Sequence, residues 1–130
     1  MVAYSFQAEF EAPLRAGTKQ GTIRPHRKRH ARVGEQVQLY RGLRTRHCRL
    51  LGTATARHVR PIRLDLDIDV VLIGDGLVAY AADAELDHFA RRDGFEGWAA
   101  LKAFWAKHHP GRLSFSGVQV FWADTFEAAS

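Results

Sequence analysis

The hydrophobic period of this chain changes near residue 83, and that change limits the folds open to it. Upstream, apolar residues recur at every second position in YSFQAEF (residues 4–10), QVQLYRG (36–42) and LDLDIDVVLI (64–73). Successive side chains on a strand point to opposite faces, so these stretches predict half-buried strands. Downstream, AELDHFARR (84–92) and EGWAALKAFWAKHH (96–109) space their apolar residues by three and four, as helices do. Leu101, Phe104 and Trp105 form a stripe on the second helix, and Pro110–Gly111 ends it. The period returns to two in SFSGVQVFWADTF (114–126). The sum is an α+β domain: a small barrel of five or six strands with two or three helices.

Punctuation residues refine this picture. Residues 10–16 predict a short helical turn closed by Gly17, and Pro25 stops a strand at TIRPHR because it has no N–H for a central ladder. Gly34 marks a turn, Gly52 a bulge within the β-rich stretch 46–63, and GDG at 74–76 a hairpin. On the long alternating run, Leu64, Leu66, Ile68 and Val70 would share one face, and Asp65, Asp67 and Asp69 the other. No repeat or linker interrupts the 130 residues, which suit one domain spanning 1–130. No apolar run approaches the roughly 20 residues of a membrane helix. The start lacks the basic and apolar regions of a secretory signal. A single cysteine, Cys48, excludes an internal disulfide. The expectation is a soluble cytoplasmic protein.

Charge is distributed unevenly. Residues 15–60 hold thirteen Lys or Arg against one acid, Glu35, a net +12, whereas residues 61–130 hold six basic and eleven acidic residues. A phosphate backbone relieves the self-repulsion of so dense a positive segment, which points to RNA or another nucleic acid as partner. Arg27, Lys28 and Arg29 in the loop PHRKRH, together with Arg44 and Arg46 in LRTRH, are candidate phosphate contacts. Arg24 could clamp a phosphate or carboxylate through two N–H groups. Tyr40 could stack a base, although inward packing on an alternating strand suits it equally. Solvated faces are the bland alternative for every arginine, and core packing for Phe89, Trp98, Phe104, Trp105 and Trp122.

Seven histidines invite a metal reading that their spacing does not support. His108 and His109 are adjacent, so on a helix their rings diverge by about 100°. His26 and His30 flank a strongly positive loop that repels cations. No Walker-type or dinucleotide-binding glycine motif occurs. Neither a metal nor a cofactor is expected.

Taken in order, GTKQGTIR (17–24), QLYRGLRTRHCRLLGTA (38–54), FARRDGF (89–95) and the closing FSGVQVFW (115–122) resemble the ASCH family, a branch of the PUA-like barrels. The resemblance runs from about residue 4 to residue 126. It implies a closed β-barrel, a cleft beside GTKQGTIR that Arg44 and Arg46 would face, and biology linked to RNA. The family includes small amidohydrolases that remove the acyl group from N-acetylated cytidine through a Lys-x-x-Thr pair and a carboxylate. On this chain those positions are Lys19, Thr22 and Asp93, the last standing where the family enzymes use glutamate. Such chemistry would make Thr22 the nucleophile, Lys19 its base and Asp93 the group that orients Lys19 or a substrate amine. Within one regular strand, residues three apart face opposite ways, so Lys19 and Thr22 can converge only if Gly21 or a bulge breaks the alternation, with Lys19 in the loop before the strand.

The favoured reading is an RNA-binding module with a basic cleft at Lys19, Thr22 and Arg24, because a nucleoside has no phosphate to reward so many arginines. The alternatives are hydrolysis of an acylated, modified nucleoside and a ribonuclease.

Overall fold

The architecture comes from a computed structural model that describes residues 2–74 and 78–130. Its strands are β1 (Val2–Phe6), β2 (Gly21–Arg24), β3 (Gln36–Arg41), β4 (Arg49–Thr55), β5 (His58–Asp65), β6 (Val70–Ile73), β7 (Val78–Tyr80), β8 (Ser114–Phe121) and β9 (Glu127–Ala128). The helices are α1 (Glu11–Ala16), α2 (Asp83–Arg92) and α3 (Trp98–His108). One sheet has the order β1-β3-β4-β9, with β1 parallel to β3, and the other has the order β2-β8-β5-β6-β7. The α+β class stands.

Neither sheet closes into a barrel. The expected run of β-formers at 46–63 divides into β4 and β5, and the chain leaves one sheet for the other between them. There the Ala56 N–H donates to the Glu35 carbonyl, while the next one, from Arg57, donates to the Phe121 carbonyl. Each sheet therefore keeps free edges, β1 and β9 on one and β2 and β7 on the other.

Two further expectations change. Strand β1 stops at Phe6, because residues 7–9 are exposed and Phe10 turns inward through a short 3-10 helix, Ala8–Phe10. Phe6 and Phe10, four apart, then meet edge to face with ring centres 6.5 Å apart. The alternation across 64–73 conceals a turn at residues 66–69, with Asp69 at φ 56°. Ile68 consequently stands 65% exposed instead of facing the core, and Asp69 accepts hydrogen bonds from the Trp98 indole and Lys102. The hairpin expected at 74–76 lies, apart from Gly74, outside the described residues.

Two apolar clusters hold the molecule together. One lies between the sheets and joins Tyr4, Phe6, Val37, Leu39 and Leu51 to Val120 and Trp122. The other lies under α2 and α3, where Leu86, Phe89, Leu101 and Trp105 cover Ile62, Leu64, Val71 and Phe115. Full burial of a side chain of this size contributes roughly 1.5–3 kcal/mol. Phe95 and Phe104 pack against both clusters, so they mark the seam between them.

The bulge signalled by Gly52 is present one residue earlier. Leu39 pairs with Gly52 and Tyr40 with Leu50, which leaves Leu51 as the extra residue on β4. Gly52 has a second duty, since a Cβ there would meet the Glu127 carbonyl at 2.3 Å and the Phe126 ring at 2.6 Å. Gly52→Ala should therefore detach β9 and lower stability by about 1–3 kcal/mol. Chemical denaturation, with hydrogen exchange at Ala129, whose N–H donates to the Leu51 carbonyl, checks this; an unchanged midpoint would contradict it.

Candidate functional site

A cavity of about 270 Å³ opens at the seam between the two clusters. Its apolar walls include Phe6, Phe10, Phe95, Phe104 and Trp105, and its polar groups include Lys19, Thr22, Arg24 and Asp93. Strand β2 is the edge of its sheet. That is why Thr22 and Ile23, whose side chains leave the strand in opposite directions, both border the space.

Lys19 lies before β2, as convergence with Thr22 demanded. Its segment is anchored by backbone bonds: the Lys19 N–H donates to the Pro13 carbonyl and the Gln20 N–H to the Arg92 carbonyl. Across this junction Lys19 and Asp93 form an isolated β-bridge between residues distant in sequence. Asp93 is placed by the end of α2, where its N–H caps the carbonyls of Phe89 and Ala90. Gly94 follows with φ 98°, and a Cβ there would approach the Lys19 stem to 2.9 Å. Together these contacts explain DGF: a carboxylate, a residue without a side chain in the left-handed region, and an aromatic for the cavity wall.

Lys19 and Asp93 are both buried. Lys19 Nζ donates to the Asp93 carbonyl oxygen at 2.7 Å and lies 3.5 Å from Asp93 Oδ1. It also sits 4.6 Å from the centre of the Phe10 ring. Burial pushes the lysine below its ordinary range, and the Arg24 guanidinium adds to this, while Asp93 opposes it. Burial likewise pushes the Asp93 carboxyl up, against the pull of Lys19 and Arg24. Both directions favour the neutral forms. Asp93 Oδ1 is buried without a hydrogen bond.

Arg24 Nε donates to Thr22 Oγ1 at 2.9 Å, and its Nη2 donates to the Ser5 carbonyl at 2.6 Å. The guanidinium lies 4.9 Å from the centre of the Phe6 ring. Thr22 Oγ1 thus accepts from a cation and keeps its own proton free to donate. Lys19, Thr22, Arg24 and Asp93 are brought together here.

The other candidates stand apart from the cavity lining. Arg27 lies over the Tyr4 ring at 4.7 Å and donates to the Arg29 carbonyl. Arg29 pairs with Glu35 at 2.5 Å. Lys28, Arg44 and Arg46 are exposed, Arg44 in the left-handed region at φ 69°. Tyr40 is half-buried on β3, its hydroxyl 3.4 Å from Gln38 Oε1. Glu11 alone gathers Arg15, Arg41 and Arg49. Of the thirteen basic residues between 15 and 60, Lys19 and Arg24 are the two that line the cavity.

Several lining residues escaped the sequence reading. Trp105 is buried in the core, as expected, whereas Phe104 is only half-buried against it, and both wall the cavity beside His109 and Phe115. A helical stripe identifies a buried face without showing which end of it borders a space. Phe95 was visible only as the last letter of DGF. Among the described residues, no group of three or more His, Cys, Asp or Glu is placed to hold a metal ion. No described helix is long and apolar enough to cross a membrane.

No protein-family model matches the chain, and no curated protein matches its sequence. Among solved structures it is similar to the ASCH protein of Zymomonas mobilis, with a TM-score of 0.55, 11% identity and 95% of this chain covered. A point mutant of that protein superposes at 0.54, with 10% identity and the same coverage. The chain spans about two thirds of those proteins, 66% and 68%. At such identity the likeness concerns the path of the backbone. In that respect the chain has the ASCH-domain fold.

Proposed function

We propose that the cavity binds the base of an acylated pyrimidine nucleoside, N-acetylated cytidine or a close analogue, and hydrolyses its amide. One observation carries this reading: Lys19, Thr22 and Asp93 border one aromatic-walled cavity although Asp93 lies far along the chain. Ligand pockets run from roughly 300 Å³ upward, so a cavity of about 270 Å³ suits a nucleobase with its sugar outside.

In this mechanism neutral Lys19 takes the Thr22 hydroxyl proton, and the oxygen attacks the acyl carbon. Arg24, already bonded to Thr22 Oγ1, supplies positive charge where negative charge develops. The carbon–nitrogen bond breaks, and the amine leaves with the proton held by Lys19. Water then attacks the Thr22 ester, releasing the acid and restoring the hydroxyl. Asp93 fixes the Lys19 amine and offers its unpartnered oxygen to the substrate's N–H. Being one methylene shorter than glutamate, it reaches Lys19 by coming from the bridge itself.

RNA binding is a second reading, supported by the exposure of Arg27, Lys28, Arg29, Arg44 and Arg46, of which only Arg29 is in an ion pair among the described residues. The PUA-like character of the ASCH fold fits an RNA-linked module at the level of the family. The cavity and this surface are separate features, so a basic cleft around Lys19 and Thr22 does not follow from the charge count.

Acetate release from N4-acetylcytidine is the direct assay, and Thr22→Ala should abolish it while costing only about 1–3 kcal/mol of stability through the lost bond to Arg24. Lys19→Met should also destabilise the fold by about 1–3 kcal/mol, because it removes the partner of a buried carboxyl group. No acetate from the wild type would end the hydrolase reading. A neutral base and an ionised carboxylate make kcat/KM rise with pH, with the upper limb below the ordinary lysine value of 10.5. A profile that falls over that limb would contradict the assignment. For the second reading, affinity for labelled RNA should drop steeply with salt; cleavage of that RNA would instead indicate the ribonuclease.

A further inference from the structure

On the other side of the Lys19–Asp93 bridge lies a narrow cleft bordered by Arg60, Arg92, His88, Gln119 and Phe121. Arg60 comes from the middle of β5 and Gln119 from its ladder partner on β8. Arg92 closes α2 one residue before Asp93, so the same helix end that places the carboxylate also places this guanidinium. Arg92 lies 4.6 Å from the centre of the Phe121 ring, and His58 stacks against that ring at 5.8 Å. Arg92 Nη1 is 3.4 Å from His88 Nε2. The Arg60 side chain donates from Nη2 to the buried Gln119 Oε1 at 3.3 Å.

Two features set this group apart from ordinary surface arginines. Arg60 Nε is buried with no hydrogen-bond acceptor, and buried donors without a partner are rare in folded proteins. Among the described residues neither Arg60 nor Arg92 is in an ion pair, unlike Arg15, Arg29, Arg41 and Arg49, which face Glu11 or Glu35. The acid bordering the cleft is Asp93, which is committed to Lys19. The donors are built in, and their acceptor is missing.

We propose that Arg60 and Arg92 form a phosphate-binding site over the mouth of this cleft, one that takes the phosphate of a nucleotide or of a nucleotide strand. Guanidinium groups match phosphate oxygens with paired N–H donors. The cleft itself has space for about one water molecule, about 10 Å³, so the phosphate caps it and Phe121 forms its apolar floor. The site is independent of amide hydrolysis and would survive the failure of that reading.

The test is a titration of the 15N-labelled full chain with inorganic phosphate, following the arginine Nε–H signals. The Arg60 and Arg92 signals should shift saturably. Arg92→Gln, which leaves the part-buried Arg60–Gln119 contact in place, should weaken binding about tenfold, the worth of one charged hydrogen bond. Arg44→Gln should leave binding unchanged, and Thr22→Ala should leave it unchanged while removing turnover. No saturable shift at Arg60, or equal weakening by Arg44→Gln, would overturn the site. Cytidine monophosphate and a short single-stranded oligocytidylate separate the two sources. Tighter binding of the monophosphate indicates a free nucleotide; tighter binding of the strand with a steep salt dependence indicates RNA.

Discussion

A lysine and an aspartate withdrawn from water join the two halves of this molecule. The Lys19–Asp93 bridge ties the lead into β2 to the end of α2, and so ties the core between the sheets to the core beneath the helices. Burying two ionisable groups is costly unless each finds a partner. These two face each other with a backbone carbonyl taking the strongest of the lysine's bonds. The bridge borders the cavity at the seam, where Phe95 and Phe104 meet both cores and Lys19 lies against the Phe10 ring. It also weakens the charge on both groups, which is what a base at neutral pH requires.

The arginines follow a different logic. A net +12 over residues 15–60 suggests one basic face, yet the structure distributes those charges among separate tasks. Glu11 holds three of them, Glu35 another, and Arg27 lies on the Tyr4 ring. Arg24 is turned inward to Thr22 and Ser5. Arg60 joins Arg92, which the sequence places in the acidic half of the chain. Two polar sites thus flank one bridge, an aromatic cavity on one side and a cationic cleft on the other.

The legibility of these features depended on how local their causes are. Lys19, Thr22 and Asp93 could be named because the short motifs that hold them resemble those of the ASCH family, and the i, i+3 conflict required Lys19 to lie in the loop before the strand. The helices and the α+β class followed from period alone. What failed was governed by contacts between distant segments. Leu66 and Ile68 prolong an alternating pattern through a turn that only Asp69, bonded to Trp98 and Lys102, reveals. The exchange of partners at Ala56 and Arg57 opens the expected barrel into two sheets, and no residue type at those positions announces it. Counting charges could not show that Glu11 would collect three arginines.

The account rests on the ionisation of Lys19, and its most direct test is an NMR titration of the Lys19 side-chain nitrogen in the wild-type protein. Deprotonation below the ordinary lysine value of 10.5, and lower still in Asp93→Asn, is the expected result. A Lys19 amine that titrates at or above that value, or that exchanges its protons as freely as Lys28, would contradict the account.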